Sequence, residues 1–161
     1  MTKRSFLGTL AAAVGVGAAA PAEAAVGRFT VTYTEAEWRK RLTAEQFYVL
    51  REHGTERAGT SLLNKEYRGG TFYCAGCDLP LFASSAKFES GTGWPSFTAP
   101  LKGAIGTTVD RSFFMTRTEV HCHRCGGHLG HVFDDGPAPT GLRYCMNGDA
   151  MTFKPAKAKA N

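Results

Sequence analysis

The residues best able to do chemistry are five cysteines, at positions 74, 77, 122, 125 and 145. Four form two Cys-x-x-Cys pairs, and the fifth stands alone in "LRYCMN". Each pair occupies a turn-like stretch, "YCAGCD" and "HCHRCGG". A tight turn aims both of its thiolates at one point, and two such turns complete a tetrahedral sulfur set for zinc. Cys74, Cys77, Cys122 and Cys125 are therefore the expected ligands of a structural ion, since four thiolates leave no position open for a substrate. With 44 residues between the pairs, zinc would clamp two distant hairpins of one domain. Two other readings stay open: disulfides, if the chain is exported, and a redox motif, which lacks the alternating strand and helix pattern it needs. His121 and His123 are available as ligands too, but are expected to be exposed.

The lone cysteine has different neighbours. On a strand, Arg143, Cys145 and Asn147 share one face, and Tyr144 and Met146 the other. Arg143 beside Cys145 is expected to favour the thiolate, the nucleophilic form. Upstream, "GGHLGHVFDDGP" holds His128 and His131. A regular strand sends these to opposite faces, but a bulge at Gly130 would turn both to one face, where an imidazole can deliver a proton to a leaving oxygen. In "KFESGTGWPSF", Trp94 precedes a proline and so sits on extended backbone, suited to walling off a small alkyl group.

These side chains need a rigid frame. From Thr71 onward the chain breaks into short β-rich runs punctuated by Gly, Pro and Asp. Before them, "YTEAEWRKRLTAEQFYVLREHG" carries two capping boxes, Thr34 with Glu37 and Thr43 with Gln46. These predict two short helices, the second stopped at Gly54, covering a mainly β body.

The chain begins "MTKRSFLGTLAAAVGVGAAAPAEAA". Basic residues, an apolar Ala/Gly run and a small-x-small site at Ala22-Glu23-Ala24 predict an export signal over 1–24. The run falls short of the roughly 20 residues of a membrane span. "TKRSFLG" is similar to the twin-arginine export motif, with Lys3 in place of the first arginine, so the expected location is periplasmic, or mitochondrial in a eukaryote. The folded domain is expected over 25–153 and a frayed basic tail over 154–161. The net charge of +5 is concentrated in these ends, because residues 25–153 carry 14 Lys and Arg against 13 Asp and Glu. A near-neutral body argues against nucleic acid as a partner.

Together, "YCAGCDLPLF", "SSAKFESGTGWPSF", "VHCHRCGGHLGHVFDDGP" and "TGLRYCMN" resemble the methionine-(R)-sulfoxide reductases of the B class. The resemblance implies two antiparallel β-sheets around a structural zinc site, with the N-terminal helices packed outside. It makes Cys145 the nucleophile, and places His128, His131 and Asn147 on the polar side of the pocket. Trp94 would face the substrate methyl, with Phe133 and Arg143 also at the substrate. Cys74, Cys77, Cys122 and Cys125 match the zinc ligands. Methionine-(R)-sulfoxide in oxidised proteins or peptides would be the substrate, handled by a monomer.

One departure matters. Many members carry a resolving cysteine where this chain has Thr92. Direct regeneration of Cys145 by a thioredoxin-like protein or a small thiol is therefore expected. Met146 and Gly148 replace the more usual Ile and Ser, with only pocket shape expected to change. Two rival readings are a zinc-stabilised binding module without activity, and a thiol hydrolase using Cys145, His131 and Asn147.

Overall fold

The computed structural model describes residues 29–157. The expected export signal over 1–24 and the last residues of the expected tail lie outside them.

Both capping boxes form. Thr34 accepts from the Glu37 amide at 3.3 Å while the Glu37 carboxylate accepts from the Thr34 amide at 2.8 Å, opening α1, Glu35–Arg41. Thr43 and Gln46 do the same for α2, Ala44–Glu52. Gly54 follows the second helix as expected, but the capping residue that turns into the left-handed conformation is His53, with φ 56°. Trp38, Phe47, Val49 and Leu50 turn inward, so the helices lie over the β body.

Two antiparallel sheets make that body, as expected. The first, in the order β2-β1-β9, joins Pro80–Ala83, Gly70–Cys74 and Met151–Pro155. The second has the order β3-β4-β8-β7-β6-β5. Its strands, in chain order, are β3 Lys87–Phe88, β4 Ser96–Phe97, β5 Ile105–Asp110, β6 Arg117–Cys122, β7 His128–Phe133 and β8 Arg143–Met146. Lys154 and Pro155 pair with Thr71 and Gly70, so the sheet runs past the boundary expected at 153. The reason is local: Phe153 packs on Phe72 with ring centroids 5.0 Å apart and anchors the strand end.

The sheets meet through aromatic rings. Phe82 of the first stacks on Phe97 of the second at 4.3 Å and 17°, and Phe72 meets Phe97 edge-on at 4.9 Å. All three are fully buried, and each contributes roughly 1.5–3 kcal/mol by leaving water. Met146 is buried here too, which sends its strand neighbour Cys145 to the opposite face.

Candidate active site

Strand register builds the site. Thr108, Glu119, His131, Cys145 and Ser96 are successive cross-strand partners on β5, β6, β7, β8 and β4. Directly opposed residues point to the same face, so this row sets the thiol beside an imidazole and the imidazole beside a carboxylate.

A bulge completes the row. Val120 pairs with Gly130 and His121 with His128, so Leu129 is an extra residue in β7. The shift brings His128 to the same side as His131, with ring centroids 5.4 Å apart. A side chain at Gly130 would collide with the Cys145 carbonyl oxygen, so glycine is what lets β7 and β8 close up here.

Cys145 opens into a cavity of about 130 Å³. That is well below the roughly 300 Å³ at which sites for drug-sized ligands begin, and suits the end of one side chain. Trp94 and Phe133 form its apolar wall, while Thr55, Arg117, His131 and Asn147 also line it. Trp94 is fixed by its indole N–H, which donates to the Glu56 carbonyl at 3.1 Å.

His131 Nε2 lies 2.8 Å from Asp110 Oδ2, the oxygen that also accepts from Arg117 at 2.7 Å. Bonds from Ser112, followed by His131, hold the Asp110 carboxyl well below its usual range. Burial lowers the His131 pKa, and Asp110 works against that shift. Asn147 is buried: its side-chain oxygen accepts from the Glu56 amide at 3.0 Å and its amide donates to the Leu129 carbonyl at 3.1 Å. The Glu56 carboxylate accepts from the Gly148 and Asp149 amides, each at 2.8 Å, and so pins the chain just after Cys145.

Several expectations need correction. Arg143 does not line the cavity: its guanidinium makes two 2.8 Å bonds to Asp135 and lies over the Phe133 ring, 4.4 Å from its centre. Arg143 does favour the Cys145 thiolate, as expected, but burial outweighs it. Burial pushes the Cys145 thiol up; Arg143 and the nearby Thr92 hydroxyl pull it down by less, and Asp135 opposes them. His128 is absent from the cavity wall; it lies behind His131 with Nδ1 2.8 Å from Glu119 Oε1. Of the two histidines expected to be exposed, His123 is, whereas His121 is buried on β6.

Asp110, Arg117, Glu119 and Glu56 escaped the sequence reading. The first three depend on strand register, and only the alternation in "RTEV" hinted that Arg117 and Glu119 share a face. Glu56 follows the end of α2 and meets Asn147 across 91 residues of sequence.

The four remaining cysteines converge from both sheets. Cys74 and Cys125 sulfurs are 3.7 Å apart, Cys77 and Cys122 sulfurs 3.5 Å, and all four lie within 4.8 Å of one another. Sulfurs 2.3 Å from a tetrahedral zinc stand about 3.8 Å apart, whereas a disulfide needs about 2.05 Å. The set fits zinc and is unpaired. The turns match: Asp78 donates to the Cys74 carbonyl and Gly126 to the Cys122 carbonyl, both at 2.9 Å, and both donors have positive φ, 58° and 69°. Such an ion would tie β1 of one sheet to β6 of the other.

Comparison with known proteins gives a consistent picture. Residues 42–155 match the SelR domain. The chain is 53% identical over 126 residues to the peptide methionine sulfoxide reductase MsrB of Agrobacterium fabrum, covering 78% of this chain and 93% of that protein. It is 57% identical over 120 residues to the MsrB of Pseudomonas putida, covering 74% and 90%. With the chloroplastic peptide methionine sulfoxide reductase B1 of Oryza sativa it shares 50% identity over 127 residues, covering 78% and 59%.

Proposed function

The chain belongs to the SelR-domain family of peptide methionine sulfoxide reductases, and from that premise we propose that it returns methionine-(R)-sulfoxide in proteins and peptides to methionine, with Cys145 as nucleophile. The observation that carries this reading is the cross-strand pairing of Cys145 with His131, which Asp110 holds at 2.8 Å, in a cavity that Trp94 also lines. The Cys145 thiolate attacks the sulfoxide sulfur while the His131 imidazolium, oriented by Asp110, protonates the oxygen. The adduct then rearranges: the substrate S–O bond and the transient S–S bond break as the protonated oxygen passes to the Cys145 sulfur, so methionine leaves and Cys145 holds the oxygen as a sulfenic acid. Trp94 and Phe133 receive the terminal methyl, and these fixed contacts select one epimer. Family membership leaves no place for a binding module without activity or a thiol hydrolase.

Regeneration is assigned to an outside thiol. The other four sulfurs are gathered within 4.8 Å of one another, and Thr92 occupies the position beside Cys145. A dithiol, protein or small molecule, reduces the sulfenic acid, releasing water and its own disulfide. Zinc in the four-cysteine set would fasten the sheets and take no part in the chemistry. The protein is further proposed to act in the periplasm after export, on the strength of the twin-arginine-like start of the sequence, and to act there as a monomer.

The test is to offer a peptide carrying each methionine sulfoxide epimer together with dithiothreitol. Reduction of the R epimer alone is expected. Failure to reduce either epimer would sink the proposal.

A further inference from the structure

Beside the catalytic cavity, two imidazoles and a carboxylate converge on one point. His53 caps α2, Glu119 stands in β6, and His128 opens β7. Glu119 Oε1 lies 2.8 Å from His128 Nδ1 and 3.1 Å from His53 Nδ1. One donor atom from each residue falls within 4.8 Å of the others. His128 and Glu119 side chains are 3% and 11% exposed, while His53 is 64% exposed. His53, Glu119 and His128 border an open groove that also reaches Asp110, Arg117 and His131.

Two imidazoles with one carboxylate form a donor set suited to a borderline divalent ion. Ligand atoms 2.0–2.1 Å from a tetrahedral zinc stand about 3.3 Å apart. The observed separations of 2.8 and 3.1 Å must therefore open by only a few tenths of an ångström. An exposed side chain closing over two buried ones makes that adjustment easy, because His53 can swing without disturbing the sheet. The groove leaves a fourth position for water.

We propose that His53, Glu119 and His128 form a second zinc site, separate from the four cysteines, whose occupancy slows the reductase. The slowing, unlike the binding, rests on the function proposed above. An ion there fixes the His128 ring, which meets His131 edge-on at a centroid distance of 5.4 Å. It also brings positive charge toward the imidazole that must carry the proton, which disfavours its protonated form.

The binding test uses untagged Cys145→Ser protein with one equivalent of zinc already in the cysteine set, so that neither the catalytic thiol nor empty thiolates compete. Calorimetric titration with zinc chloride should show one further equivalent at micromolar affinity. His53→Ala, added to that background, should weaken it at least tenfold, and Glu119→Gln likewise, while His123→Ala should not change it. No further equivalent, or one indifferent to His53→Ala, overturns the site. The coupling is read separately with Cys145 intact: micromolar zinc should inhibit the wild type at least tenfold more strongly than His53→Ala. Equal inhibition overturns the coupling and leaves the isotherm to decide the site. A protein that reduces neither epimer fails the reductase reading without touching the binding result.

Discussion

Asp110 Oδ2 stands 2.8 Å from His131 Nε2 and fixes which way that ring faces the cavity. The same oxygen is held by Arg117, so neither the carboxylate nor the imidazole is free to turn. Asp110→Asn should lower kcat/KM by about tenfold, a small part of the 10²–10⁴ a positioned acid supplies. The sign of the accompanying pH effect is fixed. Asp110 raises the His131 pKa against burial, so its loss lets that pKa fall further. The imidazolium then disappears at lower pH, and the limb of the profile that reports the acid moves toward acid. A variant that lost activity with no movement of this limb would make Asp110 a mere support of the fold.

Thr92 decides how the cycle closes. Its hydroxyl sits near enough to Cys145 to favour the thiolate, and it lies 2.8 Å from the Ser90 hydroxyl. One turnover without reductant should therefore add one oxygen to the intact mass of the wild type. Thr92→Cys places a second sulfur beside the sulfenic acid, where it attacks with loss of water. The variant should end the same turnover two hydrogens lighter than the reduced protein, with a disulfide between positions 92 and 145. Retained oxygen in the variant would show that the Thr92 side chain is not positioned to resolve Cys145.

What could be read from the sequence was local. Cys-x-x-Cys turns, capping boxes and the Gly130 bulge each declare themselves within a few residues, and all three formed. The alternation in "LRYCMN" correctly sent Met146 to the core and Cys145 away from it. The errors came from partners that a linear reading does not rank. Arg143 stands close enough to Cys145 to favour its thiolate, but its two bonds go to Asp135, eight residues earlier and brought back by the hairpin turn closed between Gly136 and Gly141. Asp110 and Glu119 acquire meaning only when β5, β6 and β7 are set in register.

The four-cysteine set makes a prediction about stability. Cys122 is fully buried at the end of β6, facing Cys77 from the turn after β1. Cys122→Ser removes one thiolate and leaves the two sheets joined only by their packing. Zinc content should fall from one equivalent to well below it. The loss should cost ~2–4 kcal/mol, less than the ~10–16 kcal/mol a zinc-dependent finger derives from its ion, because this fold retains an aromatic core. A melting temperature lower by about 10 °C or more is the expected reading. Cys145→Ser should leave both zinc content and melting temperature where they were.

The last prediction concerns Cys145 itself. Burial raises its pKa, and the opposing pull of Arg143 and Thr92 does not offset it. The thiolate is therefore scarce at neutral pH, and its share grows tenfold per pH unit until the raised pKa is reached. Alkylation of the free enzyme by iodoacetamide should accordingly rise with unit slope from pH 7 and level off only above the ordinary thiol value of about 8.5. Asp135→Asn removes the charge that opposes thiolate formation and frees Arg143, so the plateau should begin at lower pH. Replacing Arg143 with Met should shift it the other way. Stability carries the opposite signature. The unfolded chain releases this proton first, so the contribution of the raised pKa is complete below the unfolded value and declines as pH climbs through the folded one. Cys145→Ser should lose that alkaline decline. A plateau below pH 8 would mean that Arg143 outweighs burial, and that the thiolate is already the resting form of the nucleophile.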